Sequence, residues 1–119
     1  MANQHAKGLE RIINAFHFSA AGFKATWQNE EAFRQEVLLL MVAVPLALWL
    51  GHSRVEQLLL IGSLVMVLLV ELLNSAVEAV VDRVGFEQHE LSGRAKDIGS
   101  AAVMLSLVWA AFTWASLLF

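Results

Sequence analysis

Apolar residues first recur at intervals of three and four: Leu9, Ile12, Ile13, Phe16, Ala20, Phe23 and Trp27, with Glu10, Arg11, Asn14, His17 and Lys24 on the remaining faces. That period matches the turn of an α-helix and predicts an amphipathic helix over about residues 6–28. Its apolar stripe is too narrow to cross a bilayer, and its Trp and Phe side chains suit the headgroup boundary. The helix is therefore expected to lie in the cytoplasmic interface plane. Gly22 is a position at which it can bend or break.

Beyond this helix the polar face disappears. From Val37 to Ser53 there is no charged residue, and with Ala32 and Phe33 in front the run is long enough, at about 1.5 Å per residue, to cross roughly 30 Å of hydrocarbon. A first span is predicted over about residues 30–51. Pro45 lies inside it and removes one backbone donor, which a membrane helix tolerates with a kink. The turn Gly51-His52-Ser53-Arg54 is so short that the next helix must return antiparallel beside the first. That second span is predicted over about residues 55–84, longer than the hydrocarbon requires, so its end from Glu78 to Arg83 is expected to protrude, with Gly85 as its stop. Residues 86–97 hold most of the remaining charge and read as a cytoplasmic loop passing into a helix. The chain is uncharged again from Ile98 to Phe119, giving a third span over about residues 91–118 in which Gly99, Ser100, Ala101 and Ala102 permit close helix contact. The fold class is thus an all-α membrane protein: one interfacial helix and three transmembrane helices in a single membrane domain, residues 1–119.

Composition strengthens this reading. Hydrophobic residues make up 58% and charged residues 16% of the chain, and the mean hydropathy is +0.62, values foreign to a soluble domain. The net charge of −3 says less than the placement of the charges. Lys7, Arg11, Lys24, Arg34, Arg83, Arg94 and Lys96 fall on one side of the expected membrane and Arg54 alone on the other, which puts the N-terminus in the cytoplasm and the C-terminus outside. Cysteine is absent, so disulfides, thiolate metal sites and thiol nucleophiles are excluded. Nothing indicates a nucleic-acid partner. No removable signal peptide, repeat, low-complexity tract or interdomain linker is read. Three spans bury little surface within one chain, and a polar stripe on the middle span calls for partners, so self-association is expected.

That polar stripe carries the candidate chemistry. Glu71, Asn74 and Glu78 are separated by three and four residues and share one helix face, which Asp82 extends by a turn. An ionisable group inside a span is expensive and marks a functional candidate. Glu71 lies on the order of 10 Å deeper than Glu78 along the helix. Carboxylates without cysteine, and with no histidines paired at ligand spacing, favour a hard cation such as Mg²⁺ bound through oxygen, for which Glu30 and Glu78 are the reachable pair. Lys96, Arg94 and Arg11 can neutralise phosphates, and the start of the third span offers free backbone N–H groups to an anion. Together these groups point to nucleotide-dependent phosphoryl transfer at the cytoplasmic interface, with Glu71 as the base for a lipid hydroxyl.

Each residue also has a plainer role. Asn74 can simply join helices by hydrogen bonding. Glu30 with Arg34 can be an i, i+4 pair, and Arg94, Lys96 and Asp97 a topological anchor. On its own His89 reads as a solvated loop residue, and Trp27, Trp49, Trp109 and Trp114 as interface or packing residues. The coincidence of the polar groups at one membrane surface favours function.

Three stretches together closely resemble the bacterial integral-membrane diacylglycerol kinase family: Asn29-Glu30-Glu31-Ala32-Phe33-Arg34-Gln35-Glu36, Val70-Glu71-Leu72-Leu73-Asn74-Ser75-Ala76-Val77-Glu78-Ala79-Val80-Val81-Asp82-Arg83, and His89-Glu90-Leu91-Ser92-Gly93-Arg94-Ala95-Lys96-Asp97-Ile98-Gly99-Ser100-Ala101-Ala102-Val103. The resemblance implies a homotrimer with active sites shared between neighbours, transferring the γ-phosphate of MgATP to diacylglycerol to give phosphatidic acid and ADP in the inner membrane. It further implies recycling of the diacylglycerol left when glycerophosphate is transferred to periplasmic glucans. By the same resemblance Glu71 is the base with Asn74 beside it, and Glu30 and Glu78 are metal ligands. The nucleotide is implied to meet Arg11, Phe18, Glu30, Glu78, Glu87, Gln88, His89, Lys96 and Asp97. For the lipid the implied contacts are Arg11, Ser19, Gln35, Glu36, Glu71, Ser100 and Trp114. Phe18 stands where the family has a tyrosine, Gln88 replaces another aromatic residue, and Asn14 and Ala21 occupy positions where lysines occur.

Three other readings of the same residues remain. Undecaprenol kinases share much of the architecture and differ in the lipid. A small proton-coupled transporter would use Glu71 alone to bind a proton and a cation in turn, and a scaffold would use the stripe only to specify packing. Neither the transporter nor the scaffold explains why carboxylates and cations gather at one interface.

Overall fold

The computed structural model describes residues 5–85 and 89–119, all of whose regular structure is helical. Four helices follow one another: α1 (Gly8–Asn29), α2 (Glu31–Leu50), α3 (Arg54–Val84) and α4 (Glu90–Leu118). The last three are each long and apolar enough to cross a membrane, with windows of mean hydropathy 1.6, 2.2 and 1.8. They coincide with the three predicted spans to within a residue at each end.

The chain divides into two compact units, one ending at Glu31 and the other running from Ala32 to Phe119. The first consists of α1, which buries none of its side chains and leaves Leu9, Ile12, Phe16, Phe23 and Trp27 exposed. It runs unbroken through Gly22: one glycine costs a helix about 1 kcal/mol against alanine, too little to end it. It stops at Glu30, whose extended backbone still donates its N–H to Thr26 O at 2.9 Å.

In the second unit α2 continues through Pro45 and ends in a turn closed by Gly51 N–H donating to Ala47 O at 3.0 Å. Ser53 caps α3 by accepting from Glu56 N–H at 3.2 Å, and Glu56 Oε2 reaches back to His52 N–H at 3.1 Å, a near capping box. Gln57 Nε2 then donates to Leu48 O at 2.9 Å and ties α3 to α2 across the turn. At its far end α3 stops before Gly85, as the sequence predicts, but Gly85 is extended (φ 164°, ψ 159°) and not in the left-handed cap conformation.

Helices α3 and α4 run antiparallel. Three contacts taken in opposite order along the two helices fix their register: Trp114 Nε1 donates to Leu60 O at 3.1 Å, Gly99 packs on Asn74, and Lys96 pairs with Asp82. The core between the helices is thin, comprising Phe33, Ala43, Ala47, Leu60, Val67 and Ala110. Ser63, Ser106 and Thr113 are buried with it, and each hydroxyl donates to a carbonyl of its own helix, at 2.8, 2.7 and 2.8 Å. Buried hydroxyls satisfied in this way permit close approach without a polar penalty. Outside the core, Leu38, Met41, Leu58, Leu73, Met104 and Phe112 remain exposed, a surface suited to lipid or to other copies of the chain and not to water.

Candidate active site

The polar stripe of α3 becomes steadily more exposed toward the C-terminal end of the helix. Glu71 is buried, at 5% exposure, Asn74 and Glu78 are half-buried, and Asp82 is exposed. Helix geometry dictates that they share a face, and the packing of α3 on its neighbours decides which of them is deep. Asn74 Nδ2 donates to Glu78 Oε1 at 3.4 Å, a long bond that couples the middle of the stripe to its upper carboxylate. The other end of the amide, Oδ1, is buried without a hydrogen-bond partner among the described residues, as is Ser75 Oγ.

Two further helices close on the stripe. From α2, Glu36 lies within electrostatic reach of Glu71, and its Oε2 is buried without a hydrogen-bond partner among the described residues. Two acidic side chains from adjacent helices thus meet at the deep end of the stripe. From α4, Lys96 Nζ stands 2.8 Å from Asp82 Oδ1 and also interacts electrostatically with Glu78. A cation therefore sits beside the two upper carboxylates at the end of the α3 and α4 pair, away from the Gly51 turn.

The start of α4 differs from the expectation in two respects. His89 is exposed and lies just outside the helix, as a solvated loop residue does, but it is also the N-cap: its Nδ1 accepts from Leu91 N–H at 3.0 Å. Because the imidazole takes that N–H, one of the backbone donors expected to be free for an anion is already used. Arg94 turns along its own helix toward Glu90, with Nη2 3.4 Å from Oε1. Asp97 and Ser100 are exposed on α4 beyond Lys96, and Gln35 is exposed on α2. Glu87 and Gln88 lie outside the described residues.

Trp114 lies far from the acidic stripe, roughly 27 Å along α4 from Lys96. With Glu36 it lines a cleft of about 370 Å³ whose walls are otherwise apolar, among them Leu39, Leu40, Ala43, Leu64, Val67 and Ala110. A carboxyl at the rim of an apolar cleft is the pattern expected where a molecule with a polar head and a hydrocarbon tail is handled. The remaining predicted residues belong to the first unit. Arg11, Phe18 and Ser19 are exposed on α1, and Glu30 is half-buried at its C-cap.

Sequence reasoning assigned no role to Asp82 beyond the stripe and gave Gly99 only a general packing role. Opposite charges at matching depths on adjacent spans would have pointed to the Asp82–Lys96 pair. Gly99 had no comparable signal, because its partner is fixed by helix register. Among the described residues no three His, Asp or Glu side chains converge on a metal position. The donor set suits Mg²⁺ nonetheless. Glu78 offers hard oxygen, and this ion is typically held by one or two carboxylates with substrate phosphates supplying much of the rest.

Comparison with known proteins adds what geometry cannot. The family model described as prokaryotic diacylglycerol kinase matches residues 17–118. Diacylglycerol kinase of Escherichia coli strain K12 is 52% identical over 118 residues, covering 99% of this chain and 96% of that protein. The Pseudomonas aeruginosa diacylglycerol kinase is 52% identical over 111 residues (93% and 90%), and that of Haemophilus influenzae 48% over 112 residues (94% and 95%). Likeness on this scale, spread across every helix that builds the acidic stripe, makes the chain a member of the prokaryotic diacylglycerol kinase family.

Proposed function

We propose that this chain uses ATP to phosphorylate diacylglycerol to phosphatidic acid at the cytoplasmic face of the bacterial inner membrane. The observation that carries the proposal is the graded stripe on α3: a buried Glu71 beneath Asn74, Glu78 and the Asp82–Lys96 pair. The lipid hydroxyl arrives from the hydrocarbon side and gives its proton to the Glu71 carboxylate as its oxygen attacks the γ-phosphorus. The bond from that phosphorus to the β,γ-bridging oxygen breaks, and ADP leaves with the electron pair. Burial keeps water from competing with the alcohol. Lys96 draws the phosphates toward the end of α3, and Asn74 orients Glu78. Glu30 and Glu78 would hold Mg²⁺ together with the nucleotide, and the bound ion would neutralise charge on the transferred group.

The remaining nucleotide contacts fall to Arg11, Phe18, His89 and Asp97 with Glu87 and Gln88, and the lipid contacts to Ser19, Gln35, Glu36, Ser100 and Trp114. Seven of the eight Lys and Arg residues lie on the N-terminal side of the membrane in this topology, which supports a cytoplasmic N-terminus and a periplasmic C-terminus. The thin core and the exposed apolar helix faces support assembly as a homotrimer with composite sites. The test is a mixed-micelle assay with labelled ATP. Phosphatidic acid from diacylglycerol is expected, and is expected to be lost in Glu71→Gln. Label passing to undecaprenol in preference would reassign the lipid, and no labelled lipid from either would end the kinase reading.

A further inference from the structure

At Gly99 the backbone of α4 meets the Asn74 side chain of α3 directly. A Cβ built on Gly99 would overlap Asn74 Oδ1 and stand 3.1 Å from its Cγ and 3.9 Å from its Cβ. The three nearest atoms thus belong to one side chain. Gly62, on the opposite half of α3, has nothing within 4 Å, so the intolerance is local and does not extend to every glycine of the bundle.

The obstructed atom is also an unsatisfied one. Asn74 Oδ1 is buried with no hydrogen-bond partner among the described residues, while Nδ2 of the same amide donates to Glu78 Oε1 at 3.4 Å. A carboxamide is planar, so its oxygen and nitrogen move together. Displacing Oδ1 swings Nδ2 away from Glu78. The bond to Glu78 is already long, and a small rotation breaks it. An amide with one polar end unpaired has little else to hold it in place, so the bare Gly99 backbone is what leaves it room in this orientation.

We infer that Gly99 is a positioning residue for phosphoryl transfer: having no side chain, it lets the Asn74 amide lie where it holds the Glu78 carboxylate. This rests on the roles proposed above for Asn74 and Glu78. Gly99 touches no reacting atom and acts only through Asn74.

The test uses the full chain in mixed micelles. Gly99→Ala is expected to lower kcat by about tenfold or more, since misplacement by a fraction of a bond length suffices, with KM for ATP and for diacylglycerol within about twofold of the parent. The Mg²⁺ concentration for half-maximal rate is expected to rise as Glu78 loses its amide partner, and Gly62→Ala to behave as the parent. A melting cycle keeps the inference testable if Gly99→Ala folds poorly. Asn74→Ala removes the atoms that a methyl would strike, so the double variant N74A/G99A is expected to melt with N74A, while G99A melts below the parent. If the double variant falls below N74A as far as G99A falls below the parent, Gly99 packs against something other than Asn74 and the inference is overturned. A parental kcat in well-folded G99A overturns it too. Full activity in N74A would instead remove the role of Asn74 on which the inference rests, and that case is recognised because the melting cycle still reports the contact.

Discussion

Asp82 of α3 and Lys96 of α4 meet across the two helices, with Oδ1 2.8 Å from Nζ and both side chains about half exposed (50% and 45%). An ion pair so open to solvent does little for stability, so its significance lies in where it keeps the ammonium group. A lysine on a four-carbon stem samples a wide volume, and Asp82 confines it to the side of α4 that faces Glu78. With three donors, Lys96 can retain Asp82 while reaching a phosphate. Asp82→Asn is therefore expected to raise KM for ATP several-fold with a smaller change in kcat and little change in melting temperature, and steady-state kinetics with a thermal scan check it. A large drop in melting temperature would show that the pair is structural.

Removing the buried acid should separate activity from stability. Glu71 is 5% exposed and shares its surroundings with Glu36, so it is held in a place that penalises its charge and opposes a neighbouring carboxyl group. Glu71→Gln keeps the shape and relieves both costs. Its activity is expected to fall on the order of 10²- to 10⁴-fold, the range typical of a lost general base, while its melting temperature stays level or rises. Full activity in this variant would remove Glu71 as the base.

The metal assignment makes a different demand. If Glu30 and Glu78 each supply oxygen to nucleotide-bound Mg²⁺, Glu30→Ala and Glu78→Ala should both shift the Mg²⁺ dependence to higher concentration, and excess metal should restore part of the rate. Titration of Mg²⁺ at saturating ATP reads this directly. An unchanged requirement in both variants would sink the pair.

The helices and the identity of the stripe were legible in the sequence for a physical reason: a span must be free of charge over a fixed length, so α2, α3 and α4 announce their ends by where charges resume. Glu71, Asn74 and Glu78 were legible because three- and four-residue spacing fixes a face whatever the surroundings. Contacts across helices were not, since register depends on how side chains of two surfaces interlock. Asp82 with Lys96 and Asn74 with Gly99 are of this kind. The capping role of His89 escaped notice because cap signals are dominated by Ser, Thr, Asp and Asn, and its imidazole does the same work by accepting from Leu91 N–H. Gly22 misled in a milder way, as it weakens a helix locally while the residues around it carry the helix on.

The turn far from the stripe offers a control in which stability should change and chemistry should not. A Cβ on Gly51 would lie 2.7 Å from Gln57 Cγ, 2.9 Å from Ala47 O and 3.2 Å from Gln57 N. Two of those atoms are backbone, already committed to the bond from Gly51 N–H to Ala47 O and to the bond from Gln57 N–H to Ser53 O, at 3.0 Å each. They cannot withdraw without loosening the helix ends, and a shift of Gln57 would also cost its bond to Leu48 O. Gly51→Ala is accordingly expected to destabilise the chain by ~1–3 kcal/mol, as overpacking against atoms that cannot yield usually does. Because the turn joins α2 to α3 at the end opposite Glu78 and Lys96, KM for ATP and for lipid should stay at parental values in whatever fraction remains folded. Thermal unfolding in micelles together with steady-state kinetics checks both halves. A selective rise in KM for ATP without loss of stability would mean that this turn is coupled to the nucleotide end of the helices, contrary to its place at the opposite end of α3.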